Sequence, residues 1–430
     1  MHTPAPEPES NPATPASDRR PHTSVVPNQT TVSRGLALLT FAFILSQFYR
    51  SCLAVIAPEI QHDFALSPAG FGAMSSCFFL SFAVAQIPVG IAFDRYGVGR
   101  PTAWLLAIGA LSAVGFVLAP NWAVAMLAQM GLGLACAPVF MGLLHYASEN
   151  LDERQYMRVV SRSNALGMVG ALCATAPLGW ISQHAGWRPA LAVSALCMVG
   201  ACYGVWRYVR DSGHAQARQA PMGAMLAESG KLLAYWPLWT LIPMCVAMAA
   251  GTGFRNAWSG PYLADVFGMQ AGARGVALTL LSLTGFLTAF LLPVLVRRNT
   301  LKSTVGGWAC FAMIGGIALT IWPDAGVVSG VAMMALLSTI GMLHPLVMAQ
   351  GRALIPAQAR GRGLGVLNTF VFLGSALTSW GFGLIANMGH QRGWANPDIY
   401  AAIFLSAVIA VVLSLVAYWF SPTSAPVAKP

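Results

Sequence analysis

Two arginines stand where the sequence is otherwise apolar: Arg50 within LALLTFAFILSQFYRSCLAVIAP and Arg255 within LWTLIPMCVAMAAGTGFRNAWSGPYL. A guanidinium near a bilayer midplane costs roughly 2.5–3.5 kcal/mol on insertion scales, so such a residue marks function. It offers a permanent charge and a planar fork of donors that grips carboxylate or phosphate through two parallel bonds. Two of them, at corresponding places in the two halves of the chain, predict a paired site for an anion. None of the 14 acidic residues falls mid-run, which makes a bound anion the expected counter-charge. Glu59 and Asp63 are the rivals, but Glu59 is ~13 Å beyond Arg50 along a helix. The competing reading places the arginines in an outer gate. Tyr49, Trp258 and Tyr262 neighbour them in sequence and are candidates to line the same cavity.

Other polar residues carry weaker signals. Asn164 and Asn368 hold matching places and suit either substrate contact or hydrogen bonding between helices. His344, beside Pro345, could carry a proton or be a satisfied core histidine. Gln86 and Gln129 read as packing glue. Met244 and Met248, and His344 and Met348, are spaced i, i+4; thioether and imidazole suit Cu(I), although methionine is also an ordinary core filler. The 8 cysteines lie within apolar runs and lack the spacing of a disulfide framework or zinc site. No Gly-x-x-x-x-Gly-Lys-Ser/Thr loop is present, so nucleotide hydrolysis is not expected to drive the protein directly.

The elements that must position these residues follow from composition. The 430 residues are 56% hydrophobic and 9% charged, against about 25% charged in soluble domains. The apolar residues gather into runs long enough to cross about 30 Å of hydrocarbon. The expectation is an all-α membrane protein with twelve spans, near 35–57, 69–91, 101–119, 122–145, 163–183, 189–207, 237–258, 275–296, 304–321, 326–350, 363–386 and 399–420. Residues 1–33, rich in Pro, Ser, Thr and Asn, read as a disordered cytoplasmic tail with no cleavable signal. The remainder divides into a six-helix bundle over 34–207, a linker over 208–236, a second bundle over 237–420 and a tail over 421–430.

With both termini cytoplasmic, 19 of the 24 basic residues lie on the cytoplasmic side, as the positive-inside rule requires. The net charge of +10 is therefore topological, and no nucleic-acid partner is expected. A shift of about 204 residues superposes the halves. It aligns Arg50 with Arg255, Pro58 with Pro261, Gly72 with Gly275, Asn164 with Asn368, Gly170 with Gly374, and Gly179 with Gly383. Two pseudo-symmetric bundles in parallel orientation are the expected result.

The loop after the second span runs from Gly90 through Asp94, Arg95 and Gly97 to Arg100. It resembles the Gly-x-x-x-Asp-Arg-x-Gly signature of the major facilitator superfamily, and with the spans and the repeat the resemblance covers 35–420. It implies that fold and a cytoplasmic latch, in which the glycine allows close helix approach and Asp94 meets basic residues of the other half. Arg360 and Arg362 are the natural partners. The matching second-half loop, Pro293 to Arg298, keeps neither the glycine nor the acid. The fifth span keeps Pro177 and Gly179 but lacks the Gly-Pro dipeptide of drug antiporters, and the fourth lacks the arginine linked to proton coupling. The arginine pair is similar to that of organophosphate antiporters in the same superfamily, where arginines of the first and seventh spans meet a phosphate.

The reading that results is a non-enzymatic secondary transporter of a small anionic solute: an organic acid, sugar acid or phosphate ester. A proton or counter-anion is the coupled partner, no cofactor or resident metal is required, and a monomer in the bacterial inner membrane is expected. The alternatives are export of drug-like or siderophore-like compounds, and copper import.

Overall fold

The computed structural model describes residues 29–209, 230–356 and 360–422. Twelve helices are long and apolar enough to cross a membrane: α1 (Gln29–Asp63), α2 (Pro68–Tyr96), α3 (Gly99–Val117), α4 (Trp122–Asn150), α5 (Glu153–Ala185), α6 (Trp187–Tyr208), α7 (Trp236–Phe267), α8 (Ala271–Arg298), α9 (Leu301–Ile321), α10 (Val327–Leu354), α11 (Arg360–Gln391) and α12 (Asn396–Trp419). With no water in hydrocarbon, a spanning backbone must satisfy its own polar groups, and helices do so. Among the described residues no strand occurs.

Local sequence sets the ends. Ser67, Asn121 and Asp152 cap α2, α4 and α5 by accepting from Gly70 N, Val124 N and Gln155 N. Gly268, at φ 65°, closes α7 in the left-handed conformation. The helix α1 begins at Gln29, inside the expected tail, and ends six residues past the expected span, because a helix continues beyond the hydrocarbon where its ends are capped or paired. Expected tail residues 1–28 and linker residues 210–229 lie outside the described residues.

The packing repeats as the sequence does. In the first bundle α2 packs on α4, α3 on α4 and α6, and α1 on α5 and α6; in the second, α8 packs on α10, α9 on α10 and α12, and α7 on α11 and α12. Each partnership is the other moved on by six helices. Large apolar side chains such as Trp104, Leu111 and Val328 point outward, at 75%, 76% and 84% exposure, as a lipid-facing surface requires.

The bundles meet through α2 with α11, α5 with α8, and α1 with α7 and α8. Glycines matched by the repeat make the two equivalent crossings. A Cβ on Gly72 would lie 3.0 Å from Gly383 Cα, and one on Gly179 would lie 3.2 Å from Gly275 Cα. Within α1, Pro58 leaves the Ala54 carbonyl without its helical donor, and Gly260 of α7 lies directly against that oxygen. These contacts all lie away from the Arg-rich connections. We call that end the far end and the opposite one the basic end. Toward the basic end the stronger packing partners of α4 and α10 all lie in their own bundles.

Candidate anion site between the bundles

Arg50 sits in α1 four residues beyond the middle of the helix, about 6 Å toward the far end. Its guanidinium carbon lies 4.5 Å from the ring centre of Phe82 on α2 and 5.0 Å from that of Phe372 on α11. Those rings, one from each bundle, are themselves 4.0 Å apart. Cation–π contact offsets part of the cost of burying the charge, but it supplies no acceptor. Among the described residues Arg50 donates no hydrogen bond and joins no ion pair, and its Nε is buried without a partner. Buried donors are almost always satisfied in folded proteins, so an orphaned one calls for a cause.

Arg255 occupies the corresponding place in α7, within a π-helical turn over Phe254–Trp258. Such turns are rare and recur at functional sites, because they displace one side chain from the regular register. Ser259 Oγ donates to the Arg255 carbonyl at 2.6 Å, which satisfies an acceptor loosened by that turn. The guanidinium Nη2 donates to Ser282 Oγ on α8 at 3.2 Å, and Nη1 lies beside Gly285 and Met342. Facing the π turn, α10 tightens into a 3₁₀ segment, Thr339–Leu343. A Cβ on Gly341 would lie 2.1 Å from Thr252 Cγ2, so the segment presses into α7 one turn before the bulge. Both irregular segments therefore lie at the level of the arginines.

His344 follows the 3₁₀ segment. Its Nε2 lies 3.1 Å from Asn368 Oδ1, and Asn368 Nδ2 donates to Gln86 Oε1 at 2.9 Å. This chain runs from α10 through α11 to α2 and so bridges the bundles. Gln86, read from sequence as packing glue, is an inter-bundle link; its only sequence signal was an amide in an apolar span.

Three expected cavity residues are corrected. Tyr49 is turned into its own bundle, where its hydroxyl lies 2.9 Å from Ser194 Oγ. Trp258 Nε1 donates to the Ser379 carbonyl and hydroxyl, both at 3.2 Å. Tyr262 donates to the Pro323 carbonyl at 2.5 Å within a cluster of Phe254, Phe267, Tyr400 and Phe404. All three are buried: an aromatic with a polar tip settles where the tip finds a protein partner. Asn164 is exposed on α5, so the repeat-matched asparagines share a position but not an environment. Met244, one of the sulfurs considered for copper, is buried with Ser414 Oγ 3.8 Å away.

The rival acids are committed elsewhere. Glu59 Oε1 accepts from Arg274 Nη2 at 2.5 Å, and Asp63 accepts from Arg188 at 2.5 Å and from Trp187 Nε1 at 2.8 Å. The expected spans 237–258 and 275–296 leave Arg274 in the connection between them. It lies instead in the first turn of α8, 3% exposed, and also donates to the carbonyls of Val55 and Met269. It thereby pins the second bundle to the first at the far end. Gln183 of α5 adds a bond to Gln270 at 3.1 Å and one from Gly272 N at 2.9 Å.

The expected latch is not formed in this state. Asp94 is exposed and, among the described residues, joins no ion pair; Arg95, Arg100, Arg360 and Arg362 are exposed at the same basic end. Gly97 turns the chain at φ 76°. Gly90 is not a close-approach glycine here, since a Cβ would meet nothing nearer than Met141 Sδ at 3.8 Å.

Residues 39–379 match the model of the Major Facilitator Superfamily. The chain belongs to that family. It is 21% identical over 427 residues to the Membrane sensor protein UhpC of Salmonella typhimurium, covering 88% of this chain and 90% of that one. It is 26% identical over 159 residues to the Probable galactarate/D-glucarate transporter GudP of Escherichia coli, 35% of each chain. With the Hexuronate transporter of Bacillus subtilis it shares 21% over 262 residues, 59% of this chain and 61% of the relative. Among solved structures, a bacterial homolog of the human lysosomal transporter Spinster, inward-facing and occupied, superposes with TM-score 0.73 at 16% identity, covering 90% of this chain and 96% of that one. A D-xylose-proton symporter does so at 0.73 and 14%, covering 93% and 100%. The structural likenesses show the fold, and the relatives at low identity include sugar-acid transporters.

Proposed function

We propose that this protein moves a small organic anion across the membrane by alternating access, with Arg50 and Arg255 as its two grips. The observation that carries the reading is Arg50: a permanent cation beside two aromatic rings, its Nε buried without an acceptor, while Glu59 and Asp63 are both paired with other arginines. An anion entering from the basic end supplies the missing acceptor. The far-end pin and glycine crossings close one side, and rocking of the two bundles about the site opens it. The positive-inside bias makes the basic end cytoplasmic, so this state faces inward, with Asp94 and Arg360 or Arg362 latching the opposite state. Relatives named for galactarate, D-glucarate and hexuronate support a sugar-acid substrate.

The test is exchange transport in proteoliposomes with radiolabelled D-glucuronate, D-galactarate, D-gluconate and D-glucose 6-phosphate. Losing one charged bidentate contact costs about 2–5 kcal/mol, so Arg50→Ala and Arg255→Ala should each lower affinity or flux by about thirtyfold or more. Wild-type affinity and flux in both variants would refute the reading. Tight binding without flux would instead favour an anion sensor, in keeping with the sensor among the relatives.

A further inference from the structure

We infer that His344 is the proton site of this transporter and that one proton travels with each anion. The inference rests on the anion reading above and adds the coupled ion and its carrier. Proton coupling in a membrane needs a titratable group close to the substrate, able to lose and regain a proton as access alternates. The acids of the described residues do not supply one. Glu59 and Asp63 are paired with arginines at the far end, and Asp265 holds Tyr400 there at 2.6 Å. Asp94, Glu149, Asp152 and Glu153 lie at the basic end, and Asp324 and Asp398 at the far end.

His344 stands at the right depth, at the hinge where the 3₁₀ segment of α10 gives way to regular helix. From α11 it is faced by Asn368, and Phe372, one turn further along α11, lies against the Arg50 guanidinium. An anion on the Arg50 fork offsets positive charge that opposes an imidazolium. By linkage, the anion and the proton then strengthen each other's binding by the same factor.

The hydrogen-bond chain gives the proton a mechanical consequence. Nε2 faces the acceptor oxygen of Asn368, so it already carries hydrogen, and the incoming proton binds Nδ1. With both nitrogens protonated, Nε2 can act only as a donor. Asn368 is thereby held with its oxygen toward His344 and its amide N–H toward Gln86 Oε1, the contact that joins α11 to α2. Loss of the Nε2 proton would reverse the amide and break that bond's polarity. Protonation at Nδ1 thus rules out the tautomer without hydrogen on Nε2 and fixes Asn368 in the orientation that donates to Gln86. The proton comes from water on one side, crosses as imidazolium beside the anion, and leaves to water on the other. For a monoanion the step moves no net charge.

The experiment uses the purified protein in proteoliposomes with the same four anions as probes, and an imposed pH gradient with the membrane potential clamped. For D-glucuronate or D-gluconate the wild type should accumulate the probe about tenfold for each pH unit, with internal pyranine reporting the matching proton flux. His344→Gln should only equilibrate it, while exchange at equal pH persists within about threefold. Accumulation by His344→Gln, or equilibration alone by the wild type, overturns the proton site and leaves the anion reading standing. Loss of exchange in both His344→Gln and His344→Asn, with the proteins monodisperse, also overturns it, because His344 would then belong to the anion grip. Failure of all four probes to exchange in the wild type overturns the anion reading and this inference with it.

Discussion

Replacing Glu59 by glutamine should spring the far-end gate. Arg274 Nη2 reaches Glu59 Oε1 at 2.5 Å, Nε and Nη2 reach the Val55 carbonyl at 3.2 and 3.0 Å, and Nη1 reaches the Met269 carbonyl at 2.8 Å. Glutamine keeps the volume and a neutral acceptor but removes the counter-charge from a guanidinium that is 3% exposed. Breaking a fully buried pair costs about 3–5 kcal/mol. Glu59 is 31% exposed and partly screened, so about 2 kcal/mol is the better figure. That penalty falls on the far-closed state alone, and about 2 kcal/mol multiplies the ratio of far-open to far-closed molecules about thirtyfold. A far-open population of about 1% would become about a quarter. Spin labels at His184→Cys and Gln391→Cys, exposed far-end positions on different bundles, read this directly as a second, longer distance in a cysteine-free background. Arg274→Lys, which keeps the charge and loses the fork, should produce a smaller shift. An unchanged distance distribution in Glu59→Gln would refute the pin.

The crossing and the corrected tyrosine give two more outcomes. A Cβ on Gly383 would lie 2.7 Å from the Pro68 carbonyl, whereas one on Gly381 meets nothing within 4 Å. Gly383→Ala should therefore cost the far-closed state about 1–3 kcal/mol and show the same long distance, with Gly381→Ala silent. Tyr49→Phe removes a single bond to Ser194, which still donates to the Leu191 carbonyl; it should lower stability by about 1 kcal/mol in a thermal melt and leave KM unchanged. A tenfold rise in KM would put Tyr49 back in the cavity.

The span count and the repeat were legible because the bilayer enforces both: apolar length is set by hydrocarbon thickness, and a duplicated bundle keeps its close-packing glycines. Gly72 and Gly275, like Gly179 and Gly383, read as repeat partners, and each supplies one side of an equivalent crossing. Side-chain direction was not legible. Tyr49 adjoins Arg50 in sequence, yet neighbours on a helix point about 100° apart, and Tyr49 faces α6. Trp258 and Tyr262 follow a π turn that no periodicity announces. Arg274 was misplaced because spans counted by hydrocarbon length left 259–274 as loop, whereas α7 continues to Phe267 and α8 starts at Ala271. The two pairings that decide the site, Glu59 with Arg274 and Gln86 with Asn368, join residues more than two hundred positions apart. Only the packed bundles bring them together.

The arginines that match in sequence do not match in circumstance, and the difference orders the binding event. Arg255 already donates to Ser282, so an anion there must share or displace an existing bond. Arg50 has aromatic rings beside it and a buried Nε with no acceptor, so under the proposed function an arriving carboxylate would gain more at Arg50. The stronger of the two proposed grips thus lies on the first bundle, and the proposed proton site, His344, on the second. The two proposed sites meet at the seam, where the Phe82 and Phe372 rings lie 4.0 Å apart and Asn368 donates to Gln86. The symmetry of the fold supplies two cations, and the asymmetry around them is what would order binding under the proposed function.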